Sequence, residues 1–177
     1  MITRTNTTTR FGVLLAVAAF ALTGCATTTP AAEQAATAGE AVTISDAWVK
    51  SAESGMSAVF GELSNDSDQD VTVVSASTEA SSMIELHETV ENDSGEMVMG
   101  RKDGGFVIPA GGTFDLEPGG NHIMLMDLTD PLEAGGDVTF TLRFSDDSTY
   151  EFTAPVKDYA GANENYEEGD MDMDTDE

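Results

Sequence analysis

Val138-Thr139-Phe140-Thr141-Leu142-Arg143-Phe144 reads VTFTLRF, with an apolar residue at every second place and Thr, Thr and Arg between. Period two marks a half-buried β-strand, four apolar side chains facing a core and the polar ones facing water. Outward from this stretch the same kind of run returns at short intervals. Val42 to Trp48, Ser57 to Leu63, Val71 to Val74 and Met83 to Val90 precede it, followed by Glu96 to Lys102, Phe106 to Ile108, Thr113 to Leu116 and His122 to Leu128. Tyr150 to Val156 comes after it. Turn-forming clusters such as DGG, PAGG, EPGG, EAGGD and SDDS stand between the runs. No stretch beyond residue 24 carries a helical period. The pattern predicts an all-β domain, an antiparallel Greek-key sandwich or barrel of about eight to nine short strands.

The amino-terminal end has a different character. Met1 to Arg10 holds two arginines and no acid, and Phe11 to Leu22 is an unbroken apolar run, too short to span a bilayer comfortably. This is the layout of a secretory signal. It ends in Leu22-Thr23-Gly24-Cys25, which resembles the bacterial lipobox and implies a diacylglyceryl group on Cys25 with cleavage before it. Cys25 is the single cysteine of the chain, so no disulfide is expected in the mature protein. Residues 1–24 are therefore read as a lipoprotein signal peptide and 25–41, small and polar, as a flexible tether. The β-domain is expected over 42–158. Residues 159–177 are read as a disordered acidic tail, since the stretch from Glu164 onward is dominated by Asp and Glu without a base. The expected location is extracytoplasmic and membrane-anchored, at the cell surface or in the periplasm.

With 7 basic against 33 acidic residues the formal net charge is −26. Such a surface repels phosphate backbones and anionic headgroups, which excludes nucleic acid as a partner. It attracts cations in general, and salt adaptation would explain it equally well. Catalysis is not expected. No G-x-S-x-G, Walker A, G-x-G-x-x-G or H-E-x-x-H pattern occurs, and no cysteine is available as a nucleophile.

Chemistry gathers instead around the two histidines, each of which stands in a segment with methionine. In Met83-Ile84-Glu85-Leu86-His87, alternation sets Ile84 and Leu86 on one face and His87 on the other. Met97 and Met99 share a face in GEMVMG. In Asn121-His122-Ile123-Met124-Leu125-Met126, His122, Met124 and Met126 oppose Ile123 and Leu125. Imidazole with thioether and no thiolate suits Cu(I), or Ag(I) on the same grounds, better than zinc, magnesium or calcium. Methionine also fills cores, and Met83 and Met126 are read as packing, Met126 beneath the site.

The segments ELHET, GEMVMG and IPAGGTFDLEPGGNHIMLMDL, with AWVKSAESGMSAVFGELSN, resemble the periplasmic copper chaperone family called PCuAC across residues 42–157. That resemblance implies a cupredoxin-like fold, one bound Cu(I), and the ligands His87, Met99, His122 and Met124. Met97 is a possible substitute for Met99, because both share a face. It further implies delivery of copper by ligand exchange to the binuclear centre of cytochrome c oxidase, through its copper subunit or an assembly factor. Exchange of this kind leads one to expect ligands near the surface. Two other readings stay open: a copper-sequestering resistance lipoprotein, and a metal-free Ig-like β-domain for protein interaction.

Overall fold

The computed structural model describes residues 36–92 and 94–160. The signal segment, Cys25, the tether through residue 35 and the tail from residue 161 lie outside the described residues. Ten strands form: β1 (Val42–Lys50), β2 (Ser57–Asn65), β3 (Val71–Ser77), β4 (Ile84–Glu91), β5 (Met97–Arg101), β6 (Phe106–Ile108), β7 (Thr113–Leu116), β8 (His122–Leu125), β9 (Asp137–Phe144) and β10 (Thr149–Lys157). A short helix, α1 (Ala38–Ala41), precedes them.

The strands follow one hydrogen-bonded path, β5-β4-β8-β2-β1-β10-β9-β3-β6, with β7 also on β2. Every pairing is antiparallel except β1 with β10, where Val49 and Lys50 stand opposite Val156 and Lys157. The path folds into two layers around one core. Val59, Leu86, Ile123 and Leu125 enter it from the first layer, and Val73, Phe140, Leu142 and Phe144 from the second. The VTFTLRF stretch lies in β9, and its four apolar residues are all buried. Each such Leu or Phe contributes about 1.5–3 kcal/mol by leaving water. The expected all-β architecture is present, as a ten-stranded sheet whose path is open at β5 and β6.

Two irregularities shape the outer face of the first layer. Strands β7 and β8 both pair with β2, Leu116 opposite Gly61 and Ile123 opposite Val59, so residues 117–121 loop out between two pieces of one ribbon. The strand read to Leu128 stops at Leu125, because the chain bends at Asp127, whose carboxylate and carbonyl accept from the hydroxyl and the N–H of Ser82.

The second irregularity is a bulge in β1 between Ser45 and Trp48, with Asp46 at φ 52°. Before it Val42 and Ile44 pack on the core; after it Val49 does, so one inserted residue turns Trp48 to the outer face. Gly61 lies across from the bulge at φ 151°, and a Cβ there would sit 3.0 Å from the Ser45 carbonyl oxygen and 3.1 Å from the Ala47 Cα.

Helix α1 begins the fold earlier than expected. The Glu40 carboxylate accepts from the Thr37 N–H and hydroxyl, the Ala38 N–H donates to Asp146, and Ala38 and Ala41 are buried. The last residues of the expected tether are thus folded. At the other end Tyr159, assigned to the tail, sets its ring edge-on against Trp48 at 5.3 Å.

Replacing Gly61 by Ala should lower stability by about 1–3 kcal/mol, because the strained backbone and the bulge contact must both give. Urea unfolding would show this as a lower midpoint with an unchanged m-value. Loss of the near-ultraviolet circular dichroism of Trp48 should accompany it. An unmoved midpoint would count against the bulge as a built feature.

Candidate metal centre

Pairing of β4 with β8 places His87 directly opposite His122. Their rings meet edge-on with centroids 5.6 Å apart. Two pairs further along, Glu85 stands opposite Met124; on the other side of β4, Thr89 stands opposite Met99 and His87 opposite Arg101. Directly opposed residues of an antiparallel pair share a face. The register therefore gathers His87, His122, Met99 and Met124 on the outer face of the first layer, away from the Leu86, Ile123 and Leu125 side chains of the main core. Ala58 and Phe60 of β2 adjoin them, and Trp48 stands opposite Phe60. These residues form a second buried cluster of Ala58, Phe60, Met99 and Met124, with Trp48 and Met126 packed against it.

Met97 and Met99 separate clearly. Met97 stands opposite Glu91, four residues from His87 along β4, which is about 13 Å of strand. Its exposure is 52 %, against 6 % for Met99. The expected surface position of the donors is not found. His87, His122, Met99 and Met124 are all buried.

The hydrogen bonds of the rings assign their tautomers. His122 Nδ1–H donates to the Gly120 carbonyl at 3.0 Å, supplied by the 117–121 loop, which leaves Nε2 with the lone pair. His87 Nε2 lies 2.8 Å from Glu85 Oε2. A carboxylate accepts, so Nε2 carries the hydrogen and Nδ1 is the basic nitrogen. Each imidazole is thus oriented by an oxygen on its far side, the arrangement that raises a ring's donor strength toward a metal. Burial holds the His122 pKa below its ordinary 6.5; the Gly120 bond opposes this shift and the nearby His87 adds to it. His122 is accordingly neutral at pH 7.

An aromatic wall closes one side. Trp48 and Phe60 ring centroids are 4.6 Å apart, and Phe60 and His122 centroids 6.1 Å. The Lys157 ammonium stands 6.0 Å from the centre of the Trp48 ring. Sequence reasoning missed Trp48, Phe60, Glu85 and Thr89. The Thr89 hydroxyl is buried beside Met99 without a hydrogen-bond partner among the described residues, which core packing alone does not explain.

The distribution of methionine is the clearest chemical signal. Met126 N–H donates to the Met83 carbonyl at 2.9 Å, extending the β4–β8 register by one pair, and Met56 precedes Ala58 by two residues. Alternation then sets Met56, Met83, Met97, Met99, Met124 and Met126, every methionine among the described residues, on the face of the two histidines. The main core, built of Val, Leu, Ile, Phe and Ala with Tyr150 at its margin, contains none. Met83 in particular is 49 % exposed and is not the core filler expected of it. Among the described residues no group of three or more His, Cys, Asp and Glu is placed to hold an ion. The donors present are two imidazoles and thioethers, a set that fits a soft monovalent cation.

His122 also sets a pH dependence of the unliganded fold. Its folded pKa is lowered, so between that value and 6.5 the unfolded chain binds more protons than the folded one. The contribution is full above about 6.5 and is lost as pH falls through that window. Thermal unfolding from pH 7 to 5 should show a fall in Tm whose slope is reduced in His122→Gln. Equal slopes would mean that His122 titrates alike in both states.

Known proteins share both the sequence and the fold. Residues 42–156 match the family described as "Putative lipoprotein LpqE-like". "Putative lipoprotein Lxx21020" of Leifsonia xyli subsp. xyli (strain CTCB07) is 51 % identical over 146 residues, 82 % of this chain and 87 % of its own length. Among solved structures, the apo PCuAC domain from PmoF1 superposes with a TM-score of 0.58 at 17 % identity, covering 71 % of this chain and 99 % of that one, a likeness of fold. Apo-DR1885 from Deinococcus radiodurans is 32 % identical with a TM-score of 0.53, covering 85 % of this chain and 98 % of that one. The solution structure titled CuI-DR1885 is 29 % identical with a TM-score of 0.50, covering 74 % and 85 %.

Proposed function

Starting from the fact that this chain belongs to the LpqE-like lipoprotein family, we propose that it is an extracytoplasmic Cu(I) chaperone. The ion is cargo, held by His87, Met99, His122 and Met124 and released to an acceptor. The observation that carries this reading is the segregation of methionine: every one described lies on the histidine face and none in the main core. A chain using methionine only as filler would place some of it between the layers. The likeness to a protein whose structure is titled CuI-DR1885 supports the choice of metal.

Four neutral donors leave the bound ion its full single charge. Glu85 stands next to His87 and balances that charge without ligating it. Thioethers bind without losing a proton, so copper competes with protons only at the imidazoles. Of the two methionines on β5 we assign Met99 as ligand, since Met97 is exposed and distant along the strand. Transfer proceeds by ligand exchange, an incoming thiolate or imidazole displacing one donor at a time. The acceptor we propose is the binuclear copper centre of cytochrome c oxidase, through its copper subunit or an assembly factor. Residues 1–24 would serve as signal and Cys25 as the lipidated anchor, with 42–158 as the working domain. Oxygen-ligand cations should not compete, because the face offers no carboxylate cluster among the described residues.

Anaerobic competition against a chromophoric Cu(I) chelator should give one tight equivalent per chain. His87→Ala/His122→Ala should weaken it by about a hundredfold or more, Met99→Leu by about tenfold, and Met97→Leu should leave it unchanged, each decade being about 1.4 kcal/mol. Tight binding that survives loss of both histidines would overturn the ligand set. The loaded protein should then metallate an apo oxidase copper domain; retention of copper would favour sequestration.

A further inference from the structure

The four proposed ligands are buried, yet cargo must pass between them and another protein. The remaining methionines grade outward from them. Met126 is half-buried and packs against the Met99–Met124 cluster, while Met56 and Met83 are 47 % and 49 % exposed. Met126 and Met83 are opposed across β8 and β4, joined by the 2.9 Å bond from N–H to carbonyl. Met56 enters β2 on the other side of β8, two residues before Ala58, which stands opposite Met124. Three neighbouring strand ends, each about 4.8 Å from the next, thus carry one thioether apiece in a single row. That row lies one alternation, about 7 Å, beyond Met124.

We infer that Met56, Met83 and Met126 form a second, outer site for a soft monovalent cation, through which cargo enters and leaves the buried centre by way of Met124. This rests on the proposed copper function and adds a route to it. Three flexible, polarizable side chains stand in one row where a packed core would not leave two large apolar residues half in water. Thioethers without a histidine bind the ion more weakly than the mixed inner set, which a transit site requires. The backbone there is pinned. The buried Ser81 hydroxyl donates to the Met83 carbonyl at 2.8 Å and lies 3.0 Å from that of Asp127, while Ser82 bonds the Asp127 carboxylate at 2.6 Å. The Asp127 carboxylate, bonded to Ser82 next to Met83, and the Glu85 carboxylate, against His87, add negative charge to this part of the layer. Water need not be excluded from the outer row, since a thioether neither titrates nor competes strongly for hydrogen bonds.

The test uses the full chain labelled with 13C at the methionine methyls, assigned by single Met→Leu replacements and titrated with silver nitrate. The first equivalent should shift the methyls of Met99 and Met124 and the ring signals of His87 and His122. Further silver should shift those of Met56, Met83 and Met126. Response of the inner set alone, up to several equivalents, would overturn the outer site and leave the chaperone reading standing. Silence of both sets would overturn both. In the Met56→Leu/Met83→Leu/Met126→Leu variant, whose side chains keep their approximate volume, affinity of the inner site should hold. Transfer of the ion to a chelator should slow by about tenfold. An unchanged transfer rate would overturn the role in passage.

Discussion

Everything at the outer face depends on the register of β4 against β8. A slip of β4 by one residue would turn His87 into the main core and bring Leu86 outward, and a slip of β8 would do the same to His122 and Ile123, since side chains alternate with period two. The core itself prevents this. Leu86, Ile123 and Leu125 are all buried, and exposing them would cost about 1.5–3 kcal/mol each. The same alternation that burying these three residues enforces therefore sets one imidazole against the other. Soft donors are aligned by hard packing on the reverse side of the same strands. The site inherits the stability of a core it does not belong to.

The supports of the two rings differ, and the difference comes from chain connectivity. His87 lies within β4, where the residue two places before it shares its face, so Glu85 reaches its Nε2. His122 is the first residue of β8, and its Nδ1 is met by a carbonyl of the loop that interrupts the ribbon. Without the 117–121 excursion, β7 would run directly into β8 and no free carbonyl would be at hand. A charged partner on one ring and a neutral one on the other keep the pair from accumulating two negative neighbours. Burial in turn keeps His122 unprotonated and available as a donor at neutral pH.

Much of this was legible in the sequence where alternation is regular. VTFTLRF announces β9, and the His-x-Met and Met-x-Met spacings place their members on common faces. What alternation cannot carry is its own interruption. Counting from Val42 puts Trp48 in the core, and only the bulge at Asp46, made possible by Gly61 opposite it, turns the indole outward. The choice between Met97 and Met99 was likewise closed to parity. It depends on which residue of β5 lies across from Thr89, and the turn bonded from Asn92 to Glu96 sets that register. The Thr37-x-x-Glu40 capping pattern was present in the sequence but belongs to a helix too short to show a period. Glu85 as the partner of His87 was visible in principle, two residues away on one strand, yet abundant carboxylates make any single one uninformative.

With 33 acidic residues and one cysteine, the chain has few chemical means for the copper selection proposed for it. Carboxylates attract every cation, so the field of the whole molecule supplies concentration without discrimination. Thiolate would discriminate strongly but would also hold tightly, oxidise outside the cytoplasm and add a charge to titrate. Thioether avoids all three: it neither carries charge nor binds protons, and its preference for soft ions is intrinsic. The division of labour is thus spatial as well as chemical. Among the described residues, hard oxygens cover the surface, soft sulfur lies on one face, and nitrogen stands at the most buried point of that face. On the proposed route, an ion drawn in by the first would be sorted by the second before it reached the third. A selectivity arranged in that order would need no rigid cage, because ions that failed to exchange oxygen for sulfur would never arrive at the histidines.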